Sequence, residues 1–319
     1  MNEPRISVLV LTYHPQKDAL FSTLRSVVLQ KDCDFEVIVC DDGSPDFPQE
    51  EVRAFLETAG CPFEILAHAE NQGTVKNILS GVAAARGSYI KPISPGDYLY
   101  DGTTLRDIVA FMDHNNALAA FGRMVFYNCD EAFQVKNLAN PILPEIYGCC
   151  YNSRKALKQQ AVFSDFICGA SAVYERQTLQ QGLTAIAPAV RYAEDAVFQF
   201  FAAQGTRIFE IPRLVVWYEH GSGISTTQAT RTFTRVEEDF YRFYHYMAEQ
   251  FPKEPYFKRA CRIWQLRKEG GSVQTILNKL RPDKLLFSLR IRSRRKQLTI
   301  PPYKDDFFRE VKGQATNGN

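Results

Sequence analysis

The most prominent candidate binding motif is the pair of aspartates that follows the second apolar run. Asp41 and Asp42 open the sequence Asp-Asp-Gly-Ser, directly after the β-rich segment 35–40. Carboxylates at the end of a strand can accept hydrogen bonds from a base N–H or from ribose hydroxyls. The same residue types are ordinary turn formers, so the motif taken alone also fits a simple polar turn.

A candidate cation site involves one aspartate and one histidine. Asp97 ends the sequence Ser-Pro-Gly-Asp, which follows the apolar run 89–93. Mg²⁺ and Mn²⁺ favour oxygen ligands, and one carboxylate together with phosphate oxygens and water is a sufficient set. His220 lies in a Gly- and Ser-containing loop after a predicted strand and is a candidate to complete the site. A polar turn at Asp97 and a packing or surface role for His220 are the alternatives.

A candidate general base lies in the acidic pair Glu194-Asp195. The pair precedes an apolar segment, 197–201, in which the spacing predicts a helix. Acidic residues in the first turn of a helix offset the helix dipole, which is the structural interpretation. A carboxylate that points from a helix start into a cleft can also take a proton from a hydroxyl nucleophile.

The elements that must position these residues alternate between strands and helices. Near-continuous apolar strands with intervening helices predict a mostly parallel sheet that is covered on both faces. Ligands of such sheets bind beyond the carboxyl ends of the strands, where we expect the loops 12–15, 41–46 and 94–97. The predicted strands are 6–11, 35–40, 63–66 and 89–93, and the predicted helices are 20–28, 50–58 and 75–85.

The later part of the chain predicts a division at about residue 230. We expect an α/β catalytic domain over 1–230 and a helical, partly basic extension over 231–319. In the first, the predicted strands are 119–126, 207–211 and 214–218, with an irregular stretch at 128–166 and an apolar segment at 166–174. In the second, one helical face carries Phe240, Phe243, Tyr244 and Met247.

A basic segment of the extension, 285–298, allows two interpretations. It mixes Leu and Phe with five cationic residues, so it fits a helix on an anionic membrane surface and fits a solvated basic helix equally well.

Composition and missing motifs exclude several classes of protein. The 319 residues carry a net charge of +2 and are 45% hydrophobic, which excludes a disordered chain and gives no global signal for nucleic-acid binding. The eight cysteines form no CxxC pair, which argues against a thiolate zinc site. The sequence contains neither GxxxxGK[ST] nor GxGxxG after the first strand. No signal peptide or membrane-spanning run is visible, so we expect a soluble, cytoplasmic protein.

The order of these motifs resembles the family-2 nucleotide-sugar glycosyltransferases, which have the GT-A fold. The sequences at 7–13, 24–30 and 35–44 match the first block of that family. Asn71-Gln72-Gly73, Asn77 and the sequence at 85–90 match its second block. The resemblance covers about 6–225 and does not extend past 232.

The resemblance implies a role for each candidate residue. The nucleotide-binding positions are Thr12, Tyr13, Asp41, Asp42, Lys76 and Asp97. The metal positions are Asp97 and His220, and Ser94-Pro95-Gly96-Asp97 keeps only the final acid of the family's Asp-x-Asp motif. The catalytic positions are Glu194 and Asp195, of which Asp195 is the expected base.

The function that the resemblance implies is inverting transfer of a hexosyl or N-acetylhexosaminyl group. The donor would be a nucleotide sugar, by family habit a UDP-sugar, with Mn²⁺ or Mg²⁺ as cofactor. The acceptor would be a hydroxyl of a glycan or a lipid-linked molecule in cell-surface polysaccharide synthesis. If the basic segment binds lipid, the protein would be peripheral at the inner face of the cell membrane.

Two alternatives to this function remain open. A sugar-phosphate nucleotidyltransferase needs a Gly-rich, Arg-bearing loop after the first strand, and the loop 12–15 is not of that kind. A catalytically silent GT-A-like module would bind a glycan or a partner protein instead. The joint presence of Asp97, Glu194-Asp195 and His220 favours the enzyme.

Overall fold

The first third of the chain forms the alternating α/β unit that the apolar runs predict. The structure, a computed structural model, describes residues 3–128, 133–221, 234–269 and 281–313. The strands of this unit are β1 (Ile6–Thr12), β2 (Phe35–Asp41), β3 (Phe63–Ala67) and β4 (Tyr89–Ile93). The intervening helices are α1 (Lys17–Val28), α2 (Gln49–Ala59) and α3 (Thr74–Ala84).

These four strands are parallel and lie in the order β3-β2-β1-β4. Thr12 pairs with Asp41, and Val10 pairs with Ile93. The carboxyl ends of β2, β1 and β4 therefore meet at one edge, as predicted. Side chains alternate across the sheet, so that Val8 and Val10 enter one hydrophobic cluster while Leu9 enters the other.

The remaining strands extend the sheet in mixed orientation. They are β5 (Tyr98–Leu99), β6 (Ala119–Asn128), β7 (Gln134–Lys136), β8 (Ala172–Glu175) and β9 (Ile208–Glu219). The order continues from β4 through β8, β6 and β9 to β5, with β7 on β6. Strands β6 and β9 are parallel, whereas β8 runs antiparallel to both β4 and β6. The associated helices are α4 (Thr104–Asn115), α6 (Arg176–Ile186) and α7 (Val197–Gln204).

Two sequence-based expectations about this part were wrong. The predicted strands 207–211 and 214–218 are the single strand β9, whose register against β6 shifts near Arg123. Such an irregularity lets a strand contain Pro212, which has no N–H to donate. The stretch 128–166 is not irregular throughout, because it contains helix α5 (Ser153–Phe163). Asn152 caps α5 by accepting a hydrogen bond from Lys155 N at 2.9 Å.

The described C-terminal residues are helical, and their first two helices pack on the α/β unit. The helices are α8 (Arg235–Gln250), α9 (Pro255–Glu269), α10 (Pro282–Gln297) and α11 (Asp306–Val311). The predicted apolar face of α8 is buried in the same hydrophobic cluster as Phe198 and Phe201 of α7. The division at 230/231 stays a prediction. Among the described residues, no helix combines the length and apolar character needed to span a bilayer.

Candidate active site

Thr12 and Asp41 meet at the carboxyl edge of β1 and β2. The Thr12 hydroxyl donates a hydrogen bond to Asp41 Oδ1 at 2.6 Å, and both side chains are buried. The backbone N–H and the hydroxyl of Ser44 also donate to the Asp41 carboxylate, each at 2.7 Å. Tyr13 follows directly and is 47% exposed. The structure thus joins Thr12 and Asp41 into one buried polar cluster, with the exposed ring of Tyr13 beside it.

Asp42 organises the loop that begins helix α3. Its carboxylate accepts hydrogen bonds from Gln72 N at 2.7 Å and from Gly73 N at 2.9 Å. Gly73 has a φ of +92° and packs closely against Arg191, a position at which a side chain would be both strained and obstructed. Lys76 is exposed in the first turn of α3. Asp42 therefore connects the end of β2 to the helix that carries Lys76.

Asp97 is a buried carboxylate at the turn after β4. Its Oδ1 accepts a hydrogen bond from Glu219 N at 3.1 Å, so the turn is held against the end of β9. Burial raises the pKa of Asp97 to about 7, and the positive charge of Lys91 opposes that rise. His220 follows Glu219, is partly buried, and donates its backbone N–H to Tyr127 O at 2.8 Å. The two predicted metal positions thus lie at adjoining chain segments.

The side chains of Asp97 and His220 suit a divalent cation that takes most of its ligands from bound phosphate and water. Among the described residues, no three His, Cys, Asp or Glu side chains converge into a metal cluster. A buried carboxylate with a raised pKa is stabilised in its charged form by an adjacent cation. Mg²⁺ and Mn²⁺ commonly use one or two protein ligands with phosphate oxygens and water. Asp97, with His220 nearby, fits that pattern.

The Glu194-Asp195 pair begins the short 3-10 turn before α7, as the acidic first turn predicts. Both side chains are partly exposed. Burial raises the pKa of both carboxyl groups, and the negative charge of Asp195 raises that of Glu194 further. Gly169 lies so close to the Glu194 carboxylate that a β-carbon there would collide with it. The pair is therefore supported from one side by the 3-10 turn Gly169–Ser171.

Cys168, which precedes Gly169, interacts electrostatically with both the candidate metal ligand and the candidate base. Burial raises the pKa of its thiol, and the charges of Asp97, Asp195 and Glu194 raise it further. These interactions require all three acidic groups to be near one sulfur atom. The structure therefore brings together the two acidic motifs that are separated by 97 residues at their nearest members, Asp97 and Glu194.

Two supporting residues were not identified in the sequence. Lys91 is fully buried in β4 and donates through Nζ to Ala170 O at 2.6 Å and to Pro92 O at 2.8 Å. Asp239 is fully buried in α8 and accepts backbone hydrogen bonds from the residues before Glu194. A signal existed in both cases, because a charge within an apolar strand or an apolar helix face needs a buried partner.

Comparisons with known proteins agree with this architecture. A model of glycosyl transferase family 2 matches residues 7–182. The structure resembles residues 1–349 of Staphylococcus aureus TarS in complex with UDP-GlcNAc, at 16% identity and a TM-score of 0.55 over 93% of this chain and 82% of that one. It also resembles the Pyrobaculum calidifontis mannosyltransferase PcManGT in complex with GDP-Man and Mn²⁺, at 14% identity and a TM-score of 0.52 over 92% and 85%.

No curated protein matches the chain at a significant level of sequence similarity. The two structural likenesses lie well below 25% identity, so they establish the fold alone. The family match covers more than half of the chain and includes Thr12, Asp41, Asp42 and Asp97. The chain belongs to glycosyltransferase family 2 and has the GT-A fold.

Proposed function

We propose that the chain is an inverting glycosyltransferase that moves a sugar from a nucleotide sugar to an acceptor hydroxyl. The observation that carries the proposal is the partly exposed Glu194-Asp195 pair, which shares the neighbourhood of Cys168 with Asp97. The raised pKa of this pair favours a group that accepts a proton near neutral pH.

In the proposed step, Asp195 accepts the proton of an acceptor hydroxyl as its oxygen forms a bond to C1 of the donor sugar. The bond between C1 and the diphosphate oxygen breaks on the opposite face, which inverts the configuration at C1. Glu194, held against Gly169, keeps the start of α7 in place, and burial and the charge of Asp195 raise its own pKa to about 8. Holding both substrates in line supplies a large part of the rate enhancement.

The donor half of the site would be formed by the carboxyl edge of β1, β2 and β4. Thr12, Asp41 and Asp42 would order the loops that receive a base and a ribose, and Tyr13 offers an exposed ring face. We propose a UDP-sugar, with a hexosyl or N-acetylhexosaminyl group, because TarS was captured with UDP-GlcNAc. GDP-mannose is the competing donor, since PcManGT was captured with GDP-Man.

A divalent cation would be held by Asp97 and His220. When bound, it would neutralise negative charge on the departing nucleoside diphosphate. The chain itself contributes the buried Asp97 carboxylate, which is oriented by its hydrogen bond from Glu219 N. The positive charge of Lys91 lowers the pKa of Asp97 and so favours the ionised form.

The acceptor would belong to a cell-surface glycan, and helix α10 would bring the protein to the cytoplasmic face of a membrane. Leu285, Leu286 and Leu289 are 45%, 68% and 60% exposed, and Arg292 and Lys296 recur at helical spacing from Leu289. Apolar side chains flanked by cations on one helix favour the surface of an anionic bilayer. Phe287 stacks on Phe163 at 4.1 Å and fixes α10 to the body of the protein.

The proposed function is tested by calorimetric titration of UDP and GDP, each with and without Mn²⁺. We expect Mn²⁺-dependent binding of one nucleotide to the wild type and its loss in Asp97→Ala. Turnover of the matching sugar nucleotides then identifies the donor. Binding of neither nucleotide would contradict the proposal and favour the catalytically silent module.

A further inference from the structure

Three consecutive backbone N–H groups before the Glu194-Asp195 pair converge on one carboxylate oxygen. Asp239 Oδ2 accepts hydrogen bonds from Arg191 N at 2.9 Å, Tyr192 N at 2.5 Å and Ala193 N at 3.1 Å. Its other oxygen, Oδ1, faces the guanidinium of Arg242 at 2.5 Å. The Asp239 side chain has no exposed surface. Hydrogen bonds to a buried, charged acceptor are stronger than those between neutral groups.

We propose that Asp239 is a positioning residue for the Glu194-Asp195 pair and acts through the backbone of residues 191–193. The inference rests on the proposed function, because it concerns the same candidate base. Asp239 lies 44 positions after Asp195 in the chain, on a helix that the family match at 7–182 does not include. Helix α8 therefore contributes directly to the geometry of the turn that carries Glu194 and Asp195.

The same backbone segment also contacts the donor side of the site. Arg191 O accepts a hydrogen bond from Val75 N at 3.0 Å, at the first turn of α3. The Arg191 guanidinium donates to Asn71 O at 2.8 Å. Asp42 holds the adjoining residues Gln72 and Gly73. Residues 191–193 thus link the nucleotide loop to the acidic pair, and Asp239 anchors that link from the opposite side.

The charge of Asp239 has an effect separate from its hydrogen bonds. It raises the pKa of Glu194, after burial and the charge of Asp195. The other groups that face the pair are Tyr244 on α8, Cys168 before the 3-10 turn and Tyr174 on β8, and burial raises the pKa of each of them. These three groups remain neutral near pH 7. Among the described residues, Asp239 is thus a charge outside the pair that acts on Glu194, and the guanidinium of Arg242 offsets that charge.

The test compares Asp239→Asn with Arg242→Gln and with Glu36→Gln as the matched control. Glu36 is also a buried carboxylate that accepts backbone N–H groups and pairs with an arginine. It lies at the start of β2, about 17 Å along the strand from Asp41. Turnover is measured as nucleotide release from UDP-glucose, UDP-N-acetylglucosamine and GDP-mannose. The ¹³C shifts of the Glu and Asp carboxyl groups report the titration of the pair.

We expect Asp239→Asn to lower kcat about 10- to 100-fold, with the KM for the nucleotide sugar within about twofold of the wild type. The acid limb of its pH profile should move to lower pH, because a negative charge near Glu194 has been removed. Arg242→Gln should move the same limb to higher pH, because the charge of Asp239 is then unopposed. Glu36→Gln should reduce thermal stability and leave kcat and the pH profile unchanged.

Opposite shifts in the two variants are a result that mere destabilisation does not produce. The inference is overturned if Asp239→Asn folds, as judged by circular dichroism, and keeps the wild-type kcat and pH profile. If Asp239→Asn does not fold, the inference is tested by Arg242→Gln alone, whose side chain is half exposed. A shift of its acid limb to higher pH supports the inference, and no shift or a shift to lower pH overturns it. If the wild type turns over no sugar nucleotide, the proposed function fails. The inference is then tested by the ¹³C titration alone, and unchanged titration of the carboxyl groups in both variants overturns it.

Discussion

The ammonium group of Lys91 donates a hydrogen bond to the carbonyl oxygen of Ala170, at 2.6 Å. This bond joins strand β4 to the 3-10 turn Gly169–Ser171, and Gly169 in turn contacts the Glu194 carboxylate. Burial lowers the pKa of Lys91 to about 8, and the negative charge of Asp97 opposes the change. One buried cation therefore contacts the backbone beside the candidate base and acts electrostatically on the candidate metal ligand.

Lys91→Met should weaken Mn²⁺-dependent nucleotide binding. Burial already raises the pKa of Asp97, and loss of the Lys91 charge would raise it further. A protonated Asp97 binds a cation poorly, so affinity should fall about 10-fold at pH 6.5 and less at pH 8.5. Calorimetry at both pH values measures the difference. Lys258→Met, an exposed lysine on α9, is the control. Equal affinity of Lys91→Met and wild type at pH 6.5 would count against this role.

Asp195→Asn should abolish turnover and preserve nucleotide binding. Loss of a general base typically costs about 100- to 10,000-fold in rate, whereas the proposed donor contacts lie at the carboxyl edge of β1, β2 and β4. Steady-state kinetics and calorimetry separate the two effects. Asp306→Asn on α11 is the matched control, since its carboxyl group is exposed. Retention of wild-type turnover in Asp195→Asn would remove Asp195 as the base.

Glu194→Gln should stabilise the protein at pH 8.5 and have little effect at pH 4.5. The pKa of Glu194 is higher in the folded than in the unfolded state, because of burial and the charge of Asp195. The protonated Glu194 side chain therefore makes its full contribution to the free energy of unfolding below the unfolded pKa of about 4.3. That contribution is lost as the pH rises through the folded pKa, because the side chain must then ionise in a buried place. We expect a gain of about 1 kcal/mol at pH 8.5, seen as a higher Tm. Exposed Glu64→Gln should show no such trend.

Replacing Leu285, Leu286 and Leu289 together by Ser should abolish binding to anionic vesicles. The leucines are exposed, so the variant should fold normally while losing the apolar area available for insertion. Sedimentation with vesicles of phosphatidylcholine containing 30% phosphatidylglycerol, compared with phosphatidylcholine alone, measures the effect. Leu118→Ser, at a leucine 44% exposed outside α10, is the control. Vesicle binding that survives the triple substitution would exclude α10 as the contact.

The arrangement of the proposed donor half was predictable because local patterns determine it. The apolar runs end where the polar loops begin, and parallel pairing then brings Thr12 beside Asp41. The acidic first turn likewise located Glu194 and Asp195 at the start of a helix. In each case, the side chain and the element that positions it are neighbours in sequence.

The supporting contacts were not predictable from local patterns, because their partners are distant in the chain. Lys91 reaches Ala170 across 79 residues, and Asp239 reaches Ala193 across 46. Periodicity shows that each charge lies within an apolar environment but does not show which backbone groups it meets. Helix α5 was missed for a different reason, since its buried face is built largely from small and polar residues, Ala156, Gln159, Gln160 and Ala161.

The pairing of β4 with β8 covers Tyr89 and Ile90, and the next contact between the two regions is made by the Lys91 side chain. A main-chain ladder fixes register, because a slip of one residue reverses the direction of every side chain. A flexible four-carbon side chain imposes no such restriction. We therefore expect changes in residues 168–171 to leave the register of the sheet intact, although a side chain at position 169 would displace the Glu194 carboxylate. This turn, beside the proposed base, is accordingly a place where the proposed acceptor side could be redesigned while the proposed nucleotide-binding edge stays the same.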